Sequence, residues 1–73
     1  MSIDCPDRDL FRERLEHALA VRHMSAWSVA RASGLSYECI RRYQRGIHMP
    51  DSAALVKLCR ALSCSADYLL GLV

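Results

Sequence analysis

Residues 25–46 read Ser25-Ala-Trp-Ser-Val-Ala-Arg-Ala-Ser-Gly34-Leu-Ser36-Tyr-Glu-Cys-Ile-Arg-Arg-Tyr-Gln-Arg-Gly46, and this stretch decides the fold. Ser25 is an N-cap residue whose hydroxyl can take a first-turn amide proton, so a short helix is expected over Ala26–Ser33 with Val29 and Ala30 turned inward. Gly34 ends it, because a residue without Cβ enters the left-handed region at little cost. Ser36 caps a further helix from Tyr37 to about Arg45, and Gly46 supplies its left-handed terminator.

That further helix has two chemically distinct sides. At about 100° per residue, Tyr37, Glu38, Arg41, Arg42 and Arg45 fall within an arc of roughly 140°, while Cys39, Ile40 and Tyr43 project to the other side. Three guanidiniums on adjacent turns repel one another and ask for a counterion. A solvated basic face would also have this composition, but here the helix follows another short helix and a Gly-containing turn. Such an arrangement presents a recognition helix to the DNA major groove.

The flanking sequence is also helical. From about Asp7 to Arg22, Phe11, Leu15, Ala18 and Leu19 recur at helical spacing with charges between them. After the loop Ile47-His48-Met49-Pro50, Asp51 caps a fourth helix that carries the stripe Leu55, Leu58, Cys59 and Leu62 and ends near Ser63. Ser65 caps a last turn or two through Leu70, stopped by Gly71. No segment alternates as a strand would. With every connection only a few residues long, the helices pack on their immediate neighbours, and the expected fold is a compact all-α domain of five helices.

Length and charge narrow the function. Seventy-three residues make one domain and exclude large enzyme folds. Apolar residues at 52% and charged residues at 25% suit a soluble globular chain rather than a disordered one. With no run of about 18 apolar residues and no basic-then-apolar leader, neither a membrane span nor a signal peptide is expected, and the expected location is the cytoplasm. The net charge is only +2, but it is unevenly placed. Residues 1–21 set three arginines against five carboxylates; residues 22–48 set Arg22, Arg31, Arg41, Arg42 and Arg45 against Glu38 alone; residues 49–73 cancel. An anionic partner would be met by the middle third.

Four cysteines, Cys5, Cys39, Cys59 and Cys64, lack the tight pairing a zinc site needs, and in a reducing compartment they are expected as free thiols, so no metal and no cofactor is assigned. His17 and His23 are six apart and face differently, with no nucleophile at a readable spacing from either; no catalytic residue is assigned and the chain is not expected to be an enzyme.

Residues 25–46, with Pro50, the Leu55–Leu62 stripe and Ser-Ala-Asp-Tyr-Leu-Leu at 65–70, resemble the Cro/CI repressor-type helix-turn-helix family from about Leu10 onward. The match is specific because Ala30, Gly34, Ser36, Ile40, Arg45, Gly46 and Pro50 agree at once. The resemblance implies a lambda-repressor-like domain over 10–73, residues 1–9 being an N-terminal arm or helix cap, with a motif at about 25–46. Ala30 would allow close approach of the two motif helices, and Ile40 would anchor the reading helix. It places base-reading positions at Tyr37, Glu38, Arg41 and Arg42, and phosphate contacts at Ser36, Arg45, His48 and Trp27. The chemistry agrees: an arginine bridges guanine O6 and N7, Glu38 accepts from cytosine N4, and the Tyr37 ring packs on a thymine methyl. Glu38 is equally suited to stabilising the positive end of its own helix.

Several positions depart from the family and limit what the resemblance carries over. Where the family commonly has Gln at the start of the second helix, this chain has Ala26 with Trp27 beside it. Trp27 is expected either to lie against the sugar-phosphate backbone or to bury its ring beside the first helix or a partner chain. A buried Arg–Glu pair of the family is replaced by Leu19 and Gln44, a double loss that strands no charge. Two helix-ending positions usually held by Gly are His23 and Ser63.

The reading from sequence is therefore a double-stranded DNA-binding transcriptional regulator, a phage-type repressor or Cro-like protein on a pseudo-palindromic operator. One such domain covers too little DNA for useful specificity, so a homodimer is expected. Tyr68, Leu69, Leu70, Leu72 and Val73 crowd more apolar area than one short helix hides; Leu69 is assigned to the core, and Tyr68, Leu70, Leu72 and Val73 to the dimer contact. The alternative is an antitoxin-like or controller protein whose main partner is another protein.

Overall fold

The computed structural model describes residues 8–72. Five helices follow in order: α1 (Arg8–Arg22), α2 (Ala26–Ser33), α3 (Tyr37–Gln44), α4 (Ser52–Leu62) and α5 (Ala66–Leu70), with no strand among the described residues. The expected arm at residues 1–9 falls largely outside the described residues; Arg8 and Asp9 already belong to α1.

The serine and aspartate caps act as expected. Ser25, Ser36, Asp51 and Ser65 all have extended backbone, and their side chains accept from the amides of Ser28, Cys39, Ala54 and Tyr68. Each satisfies an amide that a helix start would otherwise leave without a partner. At the other ends, Gly34 has φ +80°, and His23 and Ser63 are left-handed despite their side chains, at φ 55° and 52°. A left-handed L-residue costs roughly 1–2 kcal/mol.

Ser63 is held in that conformation from outside its own helix. Arg22, the last residue of α1, donates from Nε to the Leu62 carbonyl at 3.0 Å and from Nη2 to the Ser63 carbonyl at 3.3 Å. The carbonyls that close α4 are thereby satisfied by a cation at the negative end of the helix. Arg22 belongs to the basic middle third by sequence, but the fold uses it to join α1 to α4.

Phe11, Leu15, Val29, Ile40, Leu58, Leu62 and Leu69 are sealed from solvent, with Ala18, Leu19, Ala30 and Tyr43 nearly so. In α4, Ala54 is buried and the expected stripe members Leu55 and Cys59 are only half-buried, because the buried face is turned by about 50° from the stripe's centre. Leu19 and the half-buried Gln44 leave no charge inside; among the described residues no charged side chain is buried. No helix among them is long and apolar enough to cross a membrane.

Candidate nucleic-acid interface

The turn between α2 and α3 is closed by its own short polar residues. The Gly34 amide donates to the Ala30 carbonyl at 3.0 Å, the Ser33 hydroxyl donates to the same carbonyl at 3.3 Å, and the Leu35 amide donates to the Ser33 hydroxyl at 3.2 Å. Ala30 is 5% exposed within the core cluster, where a larger side chain would force the packing to shift. The chain then restarts at Ser36, whose hydroxyl accepts from the Cys39 amide at 3.1 Å.

Ile40 and Tyr43 fix the back of α3. Ile40 is wholly buried, and the Tyr43 ring meets Phe11 of α1 edge to face, with centroids 6.0 Å apart and planes at 86°, a favoured aromatic geometry. Burial, helped by Cys39 and Asp51, pushes the Tyr43 phenol up to about 12. Cys39, expected on this inner side, is half-buried.

On the front, Glu38, Arg42 and Arg45 are exposed, as are Ser36 and His48. Arg42 and His48 line one open hollow of about 190 Å³ with Cys39, Tyr43, Met49 and Asp51, so the end of α3 and the following loop do form one surface. Two members of the expected outward arc are less exposed than helical geometry alone implies. Arg41 is half-buried, and its Nη1 donates to Gln44 Oε1 one turn on at 2.8 Å. Tyr37 is half-buried against the edge of the core.

Trp27 is not buried beside α1. It is 62% exposed, and its ring stacks on Tyr37 with centroids 4.2 Å apart and planes at 13°. The expected places for Trp27 were the sugar-phosphate backbone, the first helix or a partner chain, and for Tyr37 a thymine methyl, with no contact between the two rings. The signal that would have paired them is positional: Trp27 is the second residue of α2 and Tyr37 the first of α3, two helix starts that the turn brings together.

At the C-terminal end, Leu69 is sealed in the core. Tyr68 is half-buried and engaged within the chain: its hydroxyl and His17 Nδ1 are hydrogen bonded at 2.6 Å, the Arg14 guanidinium lies 4.6 Å over its ring, and Arg14 Nη1 donates to its carbonyl at 2.8 Å. Leu70 is half-buried and Leu72 is 69% exposed; Val73 lies outside the described residues. Cys39, Cys59 and Cys64 are free thiols, the last two pushed up by burial. No group of three or more potential metal ligands occurs among the described residues.

The model of the Cro/C1-type HTH DNA-binding domain family matches residues 14–73. The chain belongs to this family. Comparison with curated proteins and with solved structures yields no match.

Proposed function

We propose that the protein is a sequence-specific transcriptional regulator, a phage-type repressor or Cro-like protein that binds a pseudo-palindromic operator as a homodimer in the cytoplasm, associated with the nucleoid. The observation that carries this reading is the two-sidedness of α3: Ile40 and Tyr43 are buried, while Glu38, Arg42 and Arg45 face outward. Arg42 is the residue best suited to bridge guanine O6 and N7, with Glu38 accepting from cytosine N4 and Tyr37 meeting a thymine methyl. Arg41, drawn toward Gln44, reaches a base by giving up that 2.8 Å hydrogen bond. Ser36, Arg45, His48 and the indole N–H of Trp27 contact phosphates and set the register.

The dimer contact is assigned to Leu70, Leu72 and Val73 with the outer edge of Tyr68. The exposed Leu72 supports it, as does the apolar hollow of about 230 Å³ that Tyr68 lines with His17, Ala18, Val21, Arg22, Leu62, Ser63 and Cys64. Two copies then place their α3 helices on half-sites about one helical turn apart.

Selection of binders from random duplexes at fixed salt tests the proposal. It predicts enrichment of one inverted repeat; equal binding to every duplex rejects it. A co-purifying partner chain combined with no DNA affinity supports an antitoxin-like protein instead.

A further inference from the structure

We infer that Trp27 and Tyr37 act as one aromatic unit that reads a thymine 5-methyl group in each half-site, with Tyr37 making the contact and Trp27 as the positioning residue that holds it. The inference rests on the reading of α3 as the base-contacting helix.

The two rings are nearly parallel at 4.2 Å, and the backbone under each is tied down. Ser25 accepts from the Ser28 amide and Ser36 from the Cys39 amide, each at 3.1 Å, so neither helix start swings freely. The two rings differ in what supports them. Tyr37 packs against the edge of the core, whereas Trp27 lies outside it at 62% exposure. Burial within the chain therefore does not explain Trp27; its support comes from Tyr37, and in return it covers one face of the Tyr37 ring. A tyrosine covered on one side keeps its ring in one place when the other side meets a ligand, and less rotamer freedom is lost on contact.

The ligand follows from what else the surface offers. Glu38, Arg41, Arg42 and Arg45 are suited to donors, acceptors and phosphates, and at the start of α3 the stacked pair is the apolar element beside them. In the major groove the matching apolar feature is the thymine methyl, which distinguishes A·T from the other pairs without a hydrogen bond.

The experiment uses the best duplex from the selection and replaces its thymines one at a time by uracil, which removes the methyl and leaves the pairing. With the wild-type protein, one position per half-site should weaken binding about fourfold, the equivalent of one buried methyl. Trp27→Ala should reduce that penalty to below about 1.5-fold, and Trp27→Phe should restore most of it, with thermal melts confirming that both variants are folded. Trp27 is the single tryptophan, so Tyr37→Ala should also change its emission in the absence of DNA. If every uracil substitution is neutral while sequence preference persists, the inference falls and the regulator stands. A uracil penalty undiminished in Trp27→Ala overturns the inference in the same way. Loss of all sequence preference in the wild type removes the proposed function and this inference together.

Discussion

Replacing Arg22 by alanine separates two uses of a basic residue that sequence alone places together. Arg22 and Arg45 both belong to the positively charged middle third, yet Arg22 makes two hydrogen bonds to the carbonyls ending α4, at 3.0 and 3.3 Å, while Arg45 is exposed at the end of α3. A net hydrogen bond contributes about 0.5–1.5 kcal/mol, and a cation at a helix C-terminus about 0.3–1 kcal/mol. Against these stands the entropy of ordering a long side chain, up to about 2 kcal/mol.

The balance for Arg22→Ala is a loss of about 1 kcal/mol, which in a domain of this size lowers Tm by about 4–8 °C. If the domain has about 5 kcal/mol of stability, it remains more than about 99% folded at 25 °C, and its DNA binding should be unchanged. Arg45→Ala should do the reverse. Removing the proposed phosphate contact flattens the log–log salt dependence by about 0.9 for each protomer, about 1.8 for a dimer, so the fall in affinity between 50 and 200 mM salt shrinks by about 3.5-fold per protomer. Melts followed by helical circular dichroism and anisotropy titrations over that salt range measure both. An Arg22→Ala protein with unaltered Tm and a salt slope as flat as that of Arg45→Ala would refute this division of labour.

Arg42→Ala should relax preference at one base position and cost about 1–3 kcal/mol on the best duplex, measured by competition between duplexes differing at that position. Ser63→Gly should stabilise the domain by about 0.5–1 kcal/mol, because it relieves a left-handed serine at φ 52° for a smaller backbone-entropy loss. Gly71→Ala should destabilise by about 1–2 kcal/mol: φ is +78° and an added Cβ runs into Leu10 Cδ2, so melts of these two variants should move in opposite directions. Tyr43 makes stability pH-dependent in alkali. An unfolded tyrosine loses its proton from about pH 10, while the buried phenol holds it to about 12. The unfolded state is favoured progressively as pH rises through that window, and Tyr43→Phe should flatten this decline in urea titrations between pH 9 and 12.

Much of the fold is legible in the sequence because its signals are local. A serine or aspartate before an apolar repeat and a glycine after it act through hydrogen bonds and torsions within four residues, so Ser25, Gly34, Ser36 and Asp51 bound their helices where expected. The inward positions of Val29, Ala30, Ile40 and Tyr43 follow from the helical repeat. The left-handed His23 and Ser63 were marked only by the family resemblance, as helix ends lacking its usual glycine.

What the chain by itself determined was therefore the number of helices, their limits and which side of α3 is apolar, since each depends on neighbours in sequence. Tertiary structure decided the fate of individual polar and aromatic side chains on the surface. Arg22 was withdrawn to α4, forty residues away; Tyr68 was occupied by His17 and Arg14; and Trp27 was laid on Tyr37. A helix phase states the direction in which a side chain leaves the backbone, but a long arginine or a broad ring has several rotamers along that direction. The partner that selects among them is supplied only when helices distant in sequence come together.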